Sequence, residues 1–300
     1  MAEETWFYDR RQGRLEQEII LGDRMLRLAY QSCWRGLLRW PLFGCSLCSR
    51  LLGCFADSRF SRGRIAPAVK QLGIDLSEVE VPAAGFQTFN EFFCRHLQAG
   101  ARPLDPDPRR LLSPADSRAL FWPELQDGQC IPVKGASFSV EELLGPPGAE
   151  FAPRFRTGAL AVFRLCPADY HRYHFPADGR MLRSWRLRGK YHSVHPLALA
   201  TRIQVFSENL RVVSMLDFGP GGLAAFIEVG AFGVASIQQT FSGSEFQRGQ
   251  EKGFFAFGGS TIILLLEPGR WRFDQDLLEH SAKGRECLIR MGESIAGPCA

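Results

Sequence analysis

The stretch Arg211-Val-Val-Ser-Met-Leu-Asp-Phe218, followed by Gly219-Pro-Gly-Gly222 and Leu223-Ala-Ala-Phe-Ile-Glu-Val229, decides the fold class. Two short apolar runs lie on either side of a cluster of glycine and proline. Because such clusters favour tight turns between extended segments, the stretch predicts a β-hairpin.

The same pattern extends through most of the chain after Ser113, where short apolar runs alternate with turn-forming residues and predict further strands. These runs are Leu160–Leu165, Ala200–Phe206, Val234–Gln239, Gly253–Phe257 and Thr261–Glu267. One exception is Ser139-Val-Glu-Glu142, a capping box that predicts a short helix, which Gly145 can end.

The N-terminal third has a different pattern. Apolar residues recur at helical spacing over residues 15–56, with a break expected at Pro41. Residues 61–80 and Phe89–Leu97 predict two more helices.

The sequence therefore predicts an α+β protein in which a helical N-terminal region packs on a mostly antiparallel β core. We expect residues 1–80 to form the helical, membrane-associating region. Residues 81–300 are expected to form the catalytic domain.

The distribution of charge supports a membrane surface as a partner. The net charge is +4, too small to indicate nucleic acid, but residues 24–64 contain eight arginines and a single acid, Asp57. Basic residues beside Trp34, Trp40 and Phe43 suit an anionic lipid interface, although two helices packed on the core would give the same pattern. No uncharged apolar run reaches the ~18 residues of a spanning helix, so we expect a peripheral protein on the cytoplasmic face of the membrane.

The nine cysteines favour reduced thiols over a disulfide scaffold. Cys45 and Cys48 form a C-x-x-C pair, which could be half of a zinc site. No second C-x-x-C or paired histidine follows in a typical arrangement, so we expect no metal.

The segment Phe257-Gly-Gly-Ser-Thr261 places two glycines before a serine inside an otherwise strand-like region. A β-bulge would explain the glycines. Alternatively, they would allow a strained Gly-Ser peptide whose serine hydroxyl can reach the preceding carbonyl.

A serine nucleophile needs a base, and the base needs an orienting partner. His171 and His174 lie close together in Asp169-Tyr-His-Arg-Tyr-His174, a spacing that can also bind metal. Asp116 could orient a histidine, but it sits in a turn, where an aspartate is ordinarily only a turn former.

Taken together and in order, these segments resemble the phosphatidylserine decarboxylase family along nearly the whole chain. The matching motifs are Phe89-Asn-Glu-Phe-Phe-Cys-Arg95 with Gly100-Ala-Arg-Pro103, Ser113-Pro-Ala-Asp116, Lys134-Gly135 with Phe138-Ser139 and Glu142-Leu-Leu-Gly145, Asp169-Tyr-His-Arg-Tyr-His174, and Gly249-Gln-Glu-Lys-Gly253 with Gly259-Ser-Thr261. Ser117, Gly258 and His195 depart from the usual family pattern.

The resemblance implies that Asp116, His174 and Ser260 form a relay for self-cleavage between Gly259 and Ser260. His174 would take the proton of Ser260 while Asp116 orients it. The products would be a β chain, 1–259, and an α chain, 260–300, whose Ser260 becomes a pyruvoyl group. That group would form a Schiff base with the substrate amine and act as the electron sink for decarboxylation, so no other cofactor is expected.

The resemblance also implies the substrate, phosphatidylserine, and the product, phosphatidylethanolamine. We expect His171 to protonate the decarboxylated carbon, with His174 as the other candidate. The expected partners are the lipid, an anionic membrane surface and the two fragments of the chain itself; a homodimer stays open.

Two other functions are compatible with these residues. One is pyruvoyl-dependent decarboxylation of a free amino acid, which would not need the basic N-terminal segment. The other is a serine hydrolase with the same triad, although the G-x-S-x-G elbow of many such enzymes is missing.

Overall fold

The computed structural model describes residues 6–18, 46–126, 131–133, 136–190, 192, 205–231, 237–257 and 260–299. The helices are α1 (Ser46–Ala56), α2 (Ile65–Leu72), α3 (Phe89–Phe93), α4 (Val140–Leu144), α5 (Val205–Glu208) and α6 (Gln275–Ala282). The strands are β1 (Trp6–Asp9), β2 (Arg14–Gln17), β3 (Leu111–Leu112), β4 (Ser117–Trp122), β5 (Ile131–Val133), β6 (Ala136–Phe138), β7 (Ala159–Leu165), β8 (Arg172–His174), β9 (Gly179–Leu187), β10 (Arg211–Asp217), β11 (Leu223–Gly230), β12 (Ile237–Gln239), β13 (Glu245–Phe246), β14 (Glu251–Phe255), β15 (Ser260–Leu266), β16 (Trp271–Phe273), β17 (Cys287–Ile289) and β18 (Ser294–Pro298).

A large twisted sheet organises the molecule, with the strand order β13-β9-β10-β11-β15-β7-β4-β17-β1-β2. Every neighbouring pair is antiparallel except β1 and β17, which run parallel. Smaller sheets are formed by β12-β14-β8, β16-β18-β3 and β5-β6. These findings confirm the predicted α+β class and its mostly antiparallel core.

The central strand β15 is buried along its whole length. Side chains alternate between the two faces of a strand, so Ser260 lies on the same face as Ile262 and Leu264. That face packs in one hydrophobic cluster with Tyr173 of β8 and Phe255 of β14. The small sheet β12-β14-β8 therefore lies over the face of the large sheet from which Ser260 projects.

The opposite face of the large sheet forms a second hydrophobic cluster. Ile263 and Leu265 of β15 pack there against Leu143 and Leu144 of α4 and Phe206 of α5. Because β15 is covered on both faces and paired along both edges, its first residue is held on several sides.

The predicted hairpin is confirmed: β10 and β11 pair from Arg211↔Val229 to Asp217↔Leu223, joined by a turn at residues 218–222. The capping box of α4 is also confirmed, because the Ser139 side chain accepts from the backbone of Glu142 while the Glu142 side chain accepts from the Ser139 backbone.

Three local predictions were wrong. Residues 15–17 belong to strand β2, because they pair with β1, which the helical periodicity could not reveal. Val205 and Phe206 begin helix α5, where both side chains are buried. The strand expected at Gly253–Phe257 runs instead over Glu251–Phe255, because Glu251 and Lys252 find polar partners within the fold.

The N-terminal helices are described only in part. Helix α1 agrees with the end of the predicted helical segment, and α2 lies within the predicted helix 61–80. Residues 19–45, with Trp34, Trp40, Phe43 and Cys45, lie outside the described residues. Within the described ranges, no helix combines the length and apolar character needed to cross a bilayer.

Candidate active site

Ser260 is the first residue of β15 and lies between Leu165 of β7 and Gly230 of β11. Its side chain is fully buried, and its Oγ has no hydrogen-bond partner among the described residues. The two preceding glycines, Gly258 and Gly259, lie outside the described residues.

His171 is held in one orientation by the backbone. Its Nδ1 lies 2.9 Å from the carbonyl oxygen of Asp169, and its ring packs 3.9 Å from the ring of Phe93. Burial lowers the pKa of His171 to about 3, so the ring is neutral at physiological pH. With Nδ1–H donating to Asp169, the buried Nε2 carries the lone pair and can accept a proton.

His174 ends strand β8, where its backbone N–H donates to the carbonyl of Pro114 at 2.8 Å. Its Nδ1 is buried without a partner in the described part of the chain. Burial lowers the pKa of His174 to about 4, although the nearby charges of Glu251 and Asp116 oppose this shift. His174 is therefore also a neutral base.

Asp116 is buried, and its carboxylate is fully engaged. It accepts hydrogen bonds from Nε and Nη2 of Arg102 at 2.6–3.1 Å and from the backbone N–H of Met291 at 2.8 Å. Arg102 also binds Glu78, which pairs with Arg290. Among the described contacts, no hydrogen bond joins Asp116 to His174; the negative charge of Asp116 nevertheless raises the pKa of that histidine against the effect of burial.

The segment before Ser260 lies close to His171. The backbone N–H of Phe255 donates to the carbonyl of His171 at 3.0 Å. The ring of Phe93 also packs against the ring of Phe257, with centroids 5.3 Å apart. Phe257 and Ser260 are three residues apart and can be separated by at most about 11 Å. The fold thus brings the His171 segment to Phe255 and Phe257, which precede Ser260 by five and three residues.

Ser260 Oγ, His171 Nε2 and His174 Nδ1 are all buried and lack partners among the described residues. We call these three side chains, which share this lack of a partner, the Ser260 cluster. Native proteins pair the great majority of buried polar atoms, and exceptions often have a catalytic role. A hydroxyl and two neutral imidazoles can together perform nucleophilic attack and proton transfer.

Arg102 and Glu251 were not assigned roles from the sequence. Arg102 neutralises Asp116, and Glu251 lies opposite His174 in the β8–β14 pair while it binds Arg172. Both residues lie inside the motifs quoted above, so their place in those motifs was the one sequence feature that could have marked them as functional. Only the folded chain reveals which partner each one has.

The histidines do not join a metal site in the part of the chain that is described. Those residues include no group of three or more His, Cys, Asp or Glu side chains that could hold a metal ion. The C-x-x-C pair cannot be assessed, since Cys45 lies outside the described residues.

Comparison with known proteins gives one consistent family. Residues 89–297 match the family model described as phosphatidylserine decarboxylase. A protein of Chlamydia trachomatis serovar L2 named phosphatidylserine decarboxylase proenzyme is 39% identical over 98% of this chain and 97% of its own length. Proteins with the same name from Desulfitobacterium hafniense and Ruminiclostridium cellulolyticum are 37% and 36% identical, over 96% and 97% of this chain and 97% of each relative.

Proposed function

We propose that this protein cuts itself before Ser260 and then converts phosphatidylserine to phosphatidylethanolamine, because the chain belongs to the phosphatidylserine decarboxylase family. The observation that carries this proposal is the buried hydroxyl of Ser260, which has no partner among the described residues and lies on the sheet face that packs with Tyr173 of β8. The serine hydrolase alternative has no comparable support, because the relatives are named as proenzymes of a decarboxylase.

The self-cleavage begins with proton transfer from Ser260 Oγ to His174. Oγ then attacks the carbonyl carbon of Gly259, and the peptide C–N bond breaks as an ester forms. Removal of the Ser260 Cα proton eliminates the ester, which frees the carboxylate of Gly259 and leaves dehydroalanine. Hydrolysis by one water releases ammonia and leaves the pyruvoyl group at the start of the 260–300 fragment.

The role of Asp116 in this step is electrostatic. Its negative charge favours the imidazolium that forms when His174 takes the proton. Arg102 and the Met291 N–H hold the carboxylate in place, so its charge is fixed while the proton moves.

The site of Ser260 fits conversion to a pyruvoyl group, because its buried Oγ has no hydrogen-bond partner among the described residues and is free to react. Members of the family carry such a group, which supplies a ketone that binds the substrate amine and accepts electrons as CO2 departs. We propose that His171 Nε2 takes a proton from the substrate ammonium. It then returns this proton to the carbon that has lost CO2.

We further propose that the protein binds peripherally to the cytoplasmic face of the membrane through the N-terminal region, 1–80. Within it, Phe60 is 90% exposed, and Leu51 and Phe55 are 61% and 44% exposed. The exposed arginines Arg59, Arg62 and Arg64 lie beside Phe60 in the sequence. Exposed apolar and basic side chains together suit an anionic lipid interface, where each basic residue contributes roughly 1 kcal/mol.

The membrane proposal can be tested by cosedimentation with vesicles containing phosphatidylserine. Phe60→Ser should weaken binding, and high salt should weaken it further by screening the arginines. Phe254→Ser would be a poor control because that side chain packs on Arg172; the exposed Leu182→Ser on β9 is the better one. Equal binding by the wild type and Phe60→Ser would contradict this assignment.

The decisive test of the function is the intact mass of purified protein under denaturing conditions. We expect fragments 1–259 and 260–300, the second with a ketone in place of its amine and therefore resistant to Edman sequencing. The processed protein should release CO2 from phosphatidylserine and not from free serine. An active preparation that consists of one uncut chain would refute the mechanism.

A further inference from the structure

Asn209 lies between α5 and β10 with its side chain fully buried. Its Nδ2 donates to the carbonyl oxygens of His192 and Gly230, both at 2.8 Å, and its Oδ1 accepts from the backbone N–H of His192 at 3.0 Å. One amide thus holds the backbone at two places that are distant in sequence.

The bond to Gly230 replaces a missing bond of the sheet. Gly230 donates its N–H to the carbonyl of Leu210, which continues the β10–β11 ladder. In a regular antiparallel pair, Leu210 would donate back to Gly230. The Leu210 N–H instead donates to the carbonyl of Lys190, so Asn209 supplies the donor for the Gly230 carbonyl.

Gly230 is also the residue directly opposite Ser260 in the β11–β15 pair. Because the hydrogen-bonding groups of Gly230 point toward β10, the Gly230–Ser260 pair is a non-hydrogen-bonded one, in which the two residues approach most closely. The backbone of Gly230 therefore borders Ser260, and Asn209 fixes that backbone.

We propose that Asn209 is a positioning residue for self-cleavage: its amide holds Gly230 against the start of β15 so that Ser260 keeps the geometry needed for attack. Displacements of about 1 Å can cost about 100-fold in rate when a reaction depends on orientation. This inference rests on the proposed cleavage before Ser260.

Gly230 adds a second, independent expectation. A Cβ at this position would project on the same face as the Ser260 side chain, because directly opposed residues share a face. The three nearest described atoms would be Leu210 Cδ2 at 3.4 Å, Leu210 O at 3.5 Å and Ile237 Cδ1 at 3.9 Å, which are ordinary contacts. The fold therefore accepts an alanine here, while the space beside Ser260 becomes smaller.

The test is the rate of self-cleavage after cell-free synthesis, followed on a denaturing gel during a chase. Asn209→Ala should cleave roughly 10- to 100-fold more slowly than the wild type. The matched control is Ser214→Ala, which removes another buried polar group, bonded to Ser184, from β10. Ser214 lies opposite Phe226, and Phe226 pairs with Leu264, which is about 13 Å along β15 from Ser260. The Ser214→Ala variant should therefore cleave itself at a rate within about twofold of the wild type.

A purely structural role is excluded by a second readout. Decarboxylation by the processed fraction of Asn209→Ala, normalised to its pyruvoyl content, should show a lowered kcat with KM nearly unchanged. Cleavage and kcat equal to those of Ser214→Ala would overturn the proposal.

If Asn209→Ala does not fold, the rate of self-cleavage of Gly230→Ala tests the proposal instead. Slow cleavage by this folded variant supports the positioning role, and a wild-type rate overturns it. Failure of the proposed function is a different result: it would appear as a wild-type chain that is not cut before Ser260, whatever the variants do.

Discussion

Two buried polar regions of this protein differ in whether their polar atoms have hydrogen-bond partners. In the first, Arg164 of β7 donates two hydrogen bonds to each of two carboxylates, Glu18 and Glu286, at 2.6–3.0 Å. All three side chains are buried. We call them the Arg164 network; it joins the N-terminal hairpin and the 260–300 segment to the central sheet.

In the second region, the Ser260 cluster, three buried polar atoms have no partner within the described chain. In the Arg164 network the buried carboxylates face cations: although burial alone would raise the pKa of Glu18, Arg164 and Arg118 lower it to about 2. In the Ser260 cluster, burial instead keeps both histidines neutral. The buried groups of the Arg164 network are bound to one another, whereas we propose that those of the Ser260 cluster remain available for reaction.

The largest expected effect is on Ser260 itself. Ser260→Ala removes the attacking oxygen and the source of the pyruvoyl group, so both self-cleavage and decarboxylation should be abolished. Intact mass and CO2 release measure the two losses. Ser260→Cys keeps a nucleophile and serves as the matched variant; cleavage by Ser260→Ala at the same bond would show that another group attacks.

His174→Ala should leave mostly uncut chain, because the loss of a general base costs about 10²–10⁴ in rate. Asp116→Asn should also slow cutting, since it removes the charge that favours protonated His174. Cutting is measured as the uncut fraction after a fixed chase. Wild-type cleavage by His174→Ala would remove His174 from the relay and make His171, whose Nε2 is already oriented, the base.

His171→Ala should separate the two reactions. If His171 acts in decarboxylation, the variant should still cut itself to a useful extent and bind substrate covalently, which borohydride would trap. It should release product about 10²–10⁴ more slowly. Normal turnover would assign the proton transfer to His174 or water, and a complete failure to cut would place His171 in folding or processing.

The Arg164 network should affect stability without affecting the chemistry. Arg164→Met removes four hydrogen bonds and one cation from the buried carboxylates of Glu18 and Glu286, with Arg118 remaining near Glu18, and should cost about 3–5 kcal/mol of unfolding free energy. Urea unfolding measures the cost, and folded Arg164→Met should still cut before Ser260. Adding Glu18→Gln and Glu286→Gln should recover part of the stability. A folded but uncut Arg164→Met would show that the two regions are coupled.

Acid titration should distinguish the two regions by their pH ranges. The folded-state pKa of His174 is about 4, below its ordinary value of 6.5, so the unfolded chain binds more protons and stability falls as pH drops from 6.5 to about 4. A shift of this size corresponds to about 3 kcal/mol. Glu18 contributes stability above pH 4.5, which is lost as pH falls from 4.5 to about 2.

Urea unfolding of the Ser260→Ala precursor, a single covalent chain, can follow both ranges. Adding His174→Gln should reduce the decline between pH 6.5 and 4 and leave the part contributed by His171, whose folded-state pKa is about 3. Adding Glu18→Gln should change the decline below pH 4.5 only. The opposite assignment would contradict the pKa directions on which the comparison rests.

The sequence by itself determined the hairpin at residues 211–229, the capping box of α4 and the family motifs, because turn residues, caps and motif spacing are local signals. It also singled out Ser260, Asp116 and the two histidines as candidates. It misplaced residues 15–17, because the partner strand β1 that makes them extended cannot be inferred from helical periodicity.

Only the tertiary structure decided which polar groups are paired. Asp116 accepts hydrogen bonds from Arg102 and Met291, and His171 hydrogen-bonds the carbonyl oxygen of Asp169. Asn209 hydrogen-bonds Gly230, the residue opposite Ser260. These partners are distant in sequence or belong to the backbone, so no spacing rule predicts them. Burial makes the histidines neutral and leaves Ser260 Oγ without a partner among the described residues, and it too is a property of packing several strands together.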